Sequence, residues 1–302
     1  MSDFQNILIV LDVYNDFRDN PEHQPTEVQK ALQLVANREL TQLYLVGCGF
    51  EEYLHDTYSN FGPEAMEHRK QFVAEMEKRL DVVAQGLIDQ GYKVESRVHW
   101  TYPRYEQITK EALELDVDLV VQHAHMRQPH ERHNLSHDSW QLIKSCPKPL
   151  LLTKDKDWAP QPVLLATVDP VHSHHKPQGL DHKIIDTALQ IEELVKGSAH
   201  VMHAYSESAR PFLTKGSVHE KHEAEFRRLL GDYELPEHSV HLLDETPTNA
   251  IVHCQETLHA DITVNWCPVT LSPGGGHSGQ YGKPGTGLRE VRLADYASGL
   301  AG

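Results

Sequence analysis

The sequence predicts an α/β protein of two tandem, doubly wound parallel sheets of five strands each, and leaves open whether the second copy has its last strand. Three observations lead there. Residues 6–12 (NILIVLD) and 163–169 (VLLATVD) are apolar runs that each end in an aspartate, as suits strands buried on both faces. Residues 117–121 (VDLVV) and 260–264 (ADITV) each follow a helical segment that opens near a proline, Pro103 or Pro247. Asp118 and Asp261 lie 143 positions apart, as do Ile108 and Ile251, so one unit occurs twice in the same order. Between these landmarks strand-like and helix-like stretches alternate, which favours right-handed βαβ units.

Each element has a local reason. After the first strand, residues 26–37 carry Val28, Ala31, Leu32 and Val35 at helical spacing, and strand 43–46 follows. A long helix from about Pro63 to Gln90 leads through Gly91 into strand 93–100. The helix near Pro103, the strand 117–121 and a last apolar run, 149–152, complete the first copy. The second repeats the alternation with helix 181–196, strand 200–205, helix 219–230 and strand 239–243. The charged, proline-containing stretch 154–161 (KDKDWAPQ) reads as a linker. The expected organisation is therefore domain 1 at 1–153, linker at 154–161, domain 2 at 162–264 and a divergent glycine-rich tail at 265–302.

Composition narrows the function. At 39% hydrophobic and 24% charged residues the chain can bury a core. No apolar run reaches the roughly 18 residues of a membrane span, and the N-terminus has no basic start followed by an apolar stretch, so the expectation is a cytoplasmic protein. Cys48, Cys146, Cys254 and Cys267 form no C-x-x-C pair and read as reduced thiols, Cys146 as a packing residue. The formal charge of −16 repels phosphate backbones, which argues against nucleic acid as a partner. Motifs for a serine hydrolase (G-x-S-x-G), a zincin (H-E-x-x-H) and a P-loop are absent.

Several strings carry a family resemblance: Gln5-Asn6-Ile7-Leu8 with Asp12, Val98-His99-Trp100 before Pro103, and Asp118-Leu119-Val120-Val121 followed by Ala124-His125. Residues 140–149 (WQLIKSCPKP), then Lys154-Asp155 and Trp158, continue the series. In this order the chain resembles the universal stress protein family, and within it the E-type tandem members, over residues 5 to about 264. The resemblance implies the adenine-nucleotide α-hydrolase-like fold and two copies packed on each other as an internal pseudo-dimer. A homodimer is also open. In nucleotide-binding members the site lies at the carboxyl ends of the strands. It uses the aspartate ending the first strand and a G-x2-G-x9-G-[S/T] loop after the fourth. The aspartates carry over to Asp12 and Asp169 as ligand-binding residues. The loop does not carry over, because no glycine occurs from Gln122 to His137, so ATP is not expected in domain 1. Trp100, Trp140 and Trp158 read as packing anchors.

The tail departs from the family pattern. Gly274–Gly279 could form a phosphate-binding loop, but no helix-forming segment opens behind it. A frame advanced by one base after Asn265 must begin with glycine, and the codons for residues 277–282 then permit Ile-Val-Gly-Asn-Thr-Ala, the string the family places at the end of this loop. The tail is therefore expected to be read out of frame. If it is the natural frame, the second copy lacks its last strand and the glycine-rich end is disordered.

Histidine is abundant, with 22 residues. His123, His125, His130, His133 and His137 cluster at the end of the strand 117–121, and His172, His174, His175 and His182 follow the first strand of the second copy. Imidazole suits transition metals, so His123, His125, His130 and His133 are the candidate ligands for zinc or a similar ion, against the plainer reading of solvated loop histidines. The expectation is a non-enzymatic or weakly enzymatic stress-response protein that binds a small ligand, nucleotide-like or acyl, or a metal at the strand ends. Two alternatives stand beside it: a metal-assisted hydrolase using the His123–His137 cluster, and a protein-binding scaffold.

Overall fold

A computed structural model of the chain describes residues 3–12, 24–50, 63–124, 136–171, 179–207, 217–266 and 292–295. The chain divides into two compact units, Met1–Asp157 and Trp158–Gly302.

The first unit carries strands β1 (Asn6–Leu11), β2 (Gln42–Gly49), β3 (Lys93–Trp100), β4 (Leu119–His123) and β5 (Leu150–Thr153). All pair in parallel in the order β3-β2-β1-β4-β5. The central strands are buried over most of their length, and Ile7, Leu8, Ile9, Leu45, Leu119, Val120 and Val121 have no exposed surface. The continuous apolar runs follow from that two-sided burial. Helices α1 (Thr26–Gln33), α2 (Pro63–Asp89), α3 (Arg104–Glu114) and α4 (His137–Ser145) connect and cover the strands. Helix α1 is shorter than its apolar spacing suggests. Its last turn tightens at Leu34, whose N–H bonds Ala31 O, and a turn closed by Thr41 N–H on Asn37 O follows. Lys30 of α1 is 1% exposed, and its ammonium donates to the carbonyls of Lys154 and Lys156 at 2.6 and 2.8 Å.

The second unit repeats the plan with β6 (Val163–Val168), β7 (Ser198–Tyr205), β8 (Val240–Asp244) and β9 (Ile262–Asn265) in parallel, in the order β8-β7-β6-β9. Its helices are α5 (Leu180–Val195), α6 (Ser217–Leu230) and α7 (Pro247–Leu258). The place beside the fourth strand, held by parallel β5 in the first copy, is taken by β10 (Arg292–Asp295), which runs antiparallel to β9. The sequence reading left open whether the second copy has its last strand, and the strand found there comes from the tail set apart at 265–302. The glycine-rich stretch 267–291 lies outside the described residues.

The repeat landmarks have one structural meaning. Asp118 Oδ2 accepts the N–H groups of Gln5 and Asn6 at 2.8 and 2.9 Å, and Asp118 N–H returns a bond to Asn6 O. In the second unit the Asp261 carboxylate accepts from Ala159 and Val163, and Asp261 N–H returns to Val163 O. In each copy the acid before the fourth strand fastens the start of the first. Of the tryptophans, Trp158 is buried, whereas Trp140 is 43% exposed. The packing role expected for Trp140 therefore fails: it lies on the outer side of α4, with the Lys144 ammonium 5.7 Å from its ring.

Candidate functional site

In the first unit the carboxyl ends of β1, β2 and β4 and the first turns of α3 and α4 bring several polar groups to one region. Asp12 follows the last residue of β1, and Arg104, the first residue of α3, faces it with Nη1 at 3.5 Å from Oδ2. Val10 registers with Val46 on β2 and Gln122 on β4, so alternation places Cys48, Gln122 and Asp12 along one face. The Cys48 thiol is buried and its pKa is pushed up to about 12, mainly by desolvation, with Arg104 acting in the opposite sense and Glu111 and Asp138 adding to the rise. It is a neutral thiol and no nucleophile at physiological pH. Gln122 is 3% exposed, and its Oε1 is buried with no hydrogen bond among the described residues.

Behind this region Glu111 of α3, its side chain 3% exposed, receives Arg97 Nη1 at 2.9 Å and Gln107 Nε2 at 3.1 Å, with His99 Nε2 at 2.8 Å. The guanidinium of Arg97 is held further toward its charged form, chiefly by Glu95.

The candidate metal ligands are only partly on view. His123 ends β4, and its Nε2 lies 3.7 Å from Asp155 Oδ1. His125, His130 and His133 lie outside the described residues. His137 opens α4 and meets Gln141 at 3.4 Å. Among the described residues no group of three or more His, Cys, Asp or Glu side chains is arranged to hold a metal ion.

In the second unit Asp169 follows β6, and its N–H donates to Asp181 Oδ1 at 2.9 Å, which ties the end of β6 to the start of α5. Gly179 stands at the N-cap of α5 with φ of 80°, a conformation glycine adopts without cost. A cleft of about 370 Å³ at the start of α5 is lined by Pro170, Gly179, Asp181, His182, Glu225 and Arg228, among others. His172, His174 and His175 lie outside the described residues, and His182 Nδ1 meets the Tyr233 hydroxyl at 3.0 Å. That hydroxyl also donates to Asp186 Oδ1, and burial with this acceptor raises its pKa.

Sequence reasoning overlooked a second histidine group beside Asp169. His203 on β7 is 2% exposed and places Nδ1 3.0 Å from Val168 O and Nε2 2.7 Å from His222 Nδ1. A carbonyl only accepts, so His203 Nδ1 carries a proton. In the neutral pair His222 Nδ1–H therefore donates to His203 Nε2. The available signal was a histidine at a core position within the apolar stretch of β7.

The sequence model described as the universal stress protein family matches residues 3–154. The chain belongs to the universal stress protein family. It is 22% identical over 281 residues to Universal stress protein E of Salmonella typhi, which covers 87% of this chain and 85% of the relative. Universal stress protein E of Escherichia coli (strain K12) gives the same identity over 87% of this chain and 84% of the relative. Among solved structures, a protein of Pseudomonas aeruginosa UCBPP-PA14 described as a universal stress protein matches at TM-score 0.67 and 18% identity, over 96% of this chain and 92% of its own. A universal stress protein from Archaeoglobus fulgidus DSM 4304 matches at TM-score 0.51 and 13% identity, over 86% of each chain. These likenesses support the doubly wound universal stress fold. Among the described residues no helix is long and apolar enough to cross a membrane.

Proposed function

We propose that this universal stress protein is a non-enzymatic cytoplasmic stress-response protein that binds a small nucleotide-like or acyl ligand at the carboxyl ends of its strands. The observation that carries the reading is the paired placement of Asp12 and Asp169. Each follows the first strand of its copy, at the end of the sheet where open α/β folds hold ligands, and each is fixed by a group from a neighbouring helix, Arg104 or Asp181. The sequence after Val121 has no glycine to bring backbone N–H groups close to a phosphate, which supports a ligand held by side chains in the first copy.

Mass spectrometry of the small molecules that co-purify with the untagged protein tests this directly. A defined compound at a fixed molar ratio, lost from the Asp12→Ala or Asp169→Ala variant, supports the reading. Protein that carries no compound, and whose unfolding temperature is unmoved by a panel of nucleotides and acyl carriers, overturns it.

A further inference from the structure

Strand β3 is the outer strand of the first unit. Among the described residues it pairs only with β2, so its other side offers a row of backbone N–H and C=O groups. It is eight residues long, keeps unbroken register with β2, and contains no proline, glycine or bulge to blunt the edge. None of its residues is fully buried, and Val94 and Val98 stay half-buried. Its two faces differ. Val94, Ser96 and Val98 turn toward α2, where Ser96 Oγ donates to Asp81 Oδ1 at 3.1 Å and Val98 packs near Met76. Lys93, Glu95, Arg97 and His99 take the other face, where Arg97 reaches Glu95 at 2.8 Å and Glu111 at 2.9 Å.

We propose that two copies of this chain join through β3, antiparallel and centred on Ser96, as a closed dimer in which the first-unit sheets run on into each other. The charges carry the choice of a second copy as the occupant. Centred on Ser96, the pairing sets Glu95 against Arg97 of the partner subunit, and by the two-fold symmetry does so twice. It also sets Val94 against Val98, twice, and Ser96 against itself. Only the outermost pair, Lys93 with His99, is unmatched. Neighbouring registers are worse. Centring on Glu95 sets Lys93 against Arg97, and centring on Arg97 sets Ser96 against Val98. Charges on an edge strand ordinarily discourage pairing, and a formal charge of −16 repels a second copy, so a strand that matches itself selects this one partner. The outer strand of the second unit, β8, does not match itself. Centred on Leu242 it would set His241 against Leu243 and Val240 against Asp244.

The test is sedimentation velocity of the full chain over a range of concentrations, with cross-linking in a Cys267→Ser background. The parent should pass from monomer to dimer and stop at two copies. Glu95→Arg places like charges opposite each other twice. It should raise the dissociation constant at least about tenfold, about 1.4 kcal/mol, with the circular dichroism spectrum unchanged. Ser96→Cys, at the two-fold axis, should form a disulfide-linked dimer on mild oxidation, because facing Cα atoms of an antiparallel pair lie about 4.5–5.5 Å apart. Lys93→Cys, displaced from its own copy along the strand, should not. A chain that stays monomeric at every concentration overturns the inference. So does a dimer that Glu95→Arg leaves unweakened and in which Ser96→Cys forms no link, since that dimer uses another surface. Assembly that continues past two copies means that β3 meets a different edge, such as β8, and overturns the closed dimer.

Discussion

Lys30 shows how one side chain can hold a segment far away in sequence. Its stem is buried with α1, and its ammonium bridges the carbonyls of Lys154 and Lys156, more than 120 residues on. A buried charge is tolerated where it is fully engaged, and bonds from a charged donor are worth about 1.5–3 kcal/mol each. Lys30→Met keeps the stem and removes the donors. It should lower stability by about 2–4 kcal/mol, read as the urea midpoint, and expose the 154–157 segment to trypsin. A midpoint within error of the parent would show that water replaces the ammonium. Glycine matters at the same scale at Gly197, where a Cβ would lie 2.2 Å from the carbonyl oxygen of Pro162. The chain turns there from α5 into β7 with no room for a side chain.

At the scale of elements, the internal repeat is kept by its joints. Asp118 and Asp261 each fasten the first strand of their copy through two backbone N–H groups. Asp118→Ala and Asp261→Ala should each cost about 1.5–3 kcal/mol, measured by thermal or urea unfolding. A cost in one copy only would break the equivalence. The edge of the second sheet carries a pH dependence. His200 Nδ1 on β7 and His241 Nε2 on β8 are 3.0 Å apart, with stacked rings and His238 close by. Burial lowers both pKa values below the usual 6.5, the neighbouring imidazoles add to the effect, and Glu192 opposes it at His200. Below pH 6.5 the unfolded chain binds protons more readily than the folded one, so this contribution is full above that value and is lost as pH falls. The unfolding temperature should drop between pH 7 and pH 5, and less steeply in His241→Gln. Equal slopes in the two proteins would remove the pair as a cause.

Across the whole molecule the dominant electrostatic fact is a formal charge of −16. Self-repulsion of that size opposes the compact state. Raising salt from about 0.01 to about 0.15 M shortens the screening length from about 30 to about 8 Å. The unfolding temperature should therefore rise over that range in differential scanning calorimetry, whereas a fall would mean that favourable ion pairs such as Arg97–Glu111 outweigh the repulsion.

The fold class and family were legible in the residues alone, because apolar runs, helical spacing and proline starts are local patterns that a buried parallel sheet imposes on any sequence. Asp12 and Asp169 were legible for the same reason, as acids ending such runs. Gln122 was read only for the missing glycine around it, since nothing in a string of letters tells a satisfied amide from an unmet one. Trp140 was misread because an aromatic within an apolar string does not reveal which side of a helix it lies on. The bonds of Lys30 to the 154–156 segment, the His203–His222 pair and the reversed direction of β10 emerged only with the fold in place. Each joins residues distant in sequence or depends on which face of an element turns inward, and packing, not local propensity, brings such groups within bonding distance.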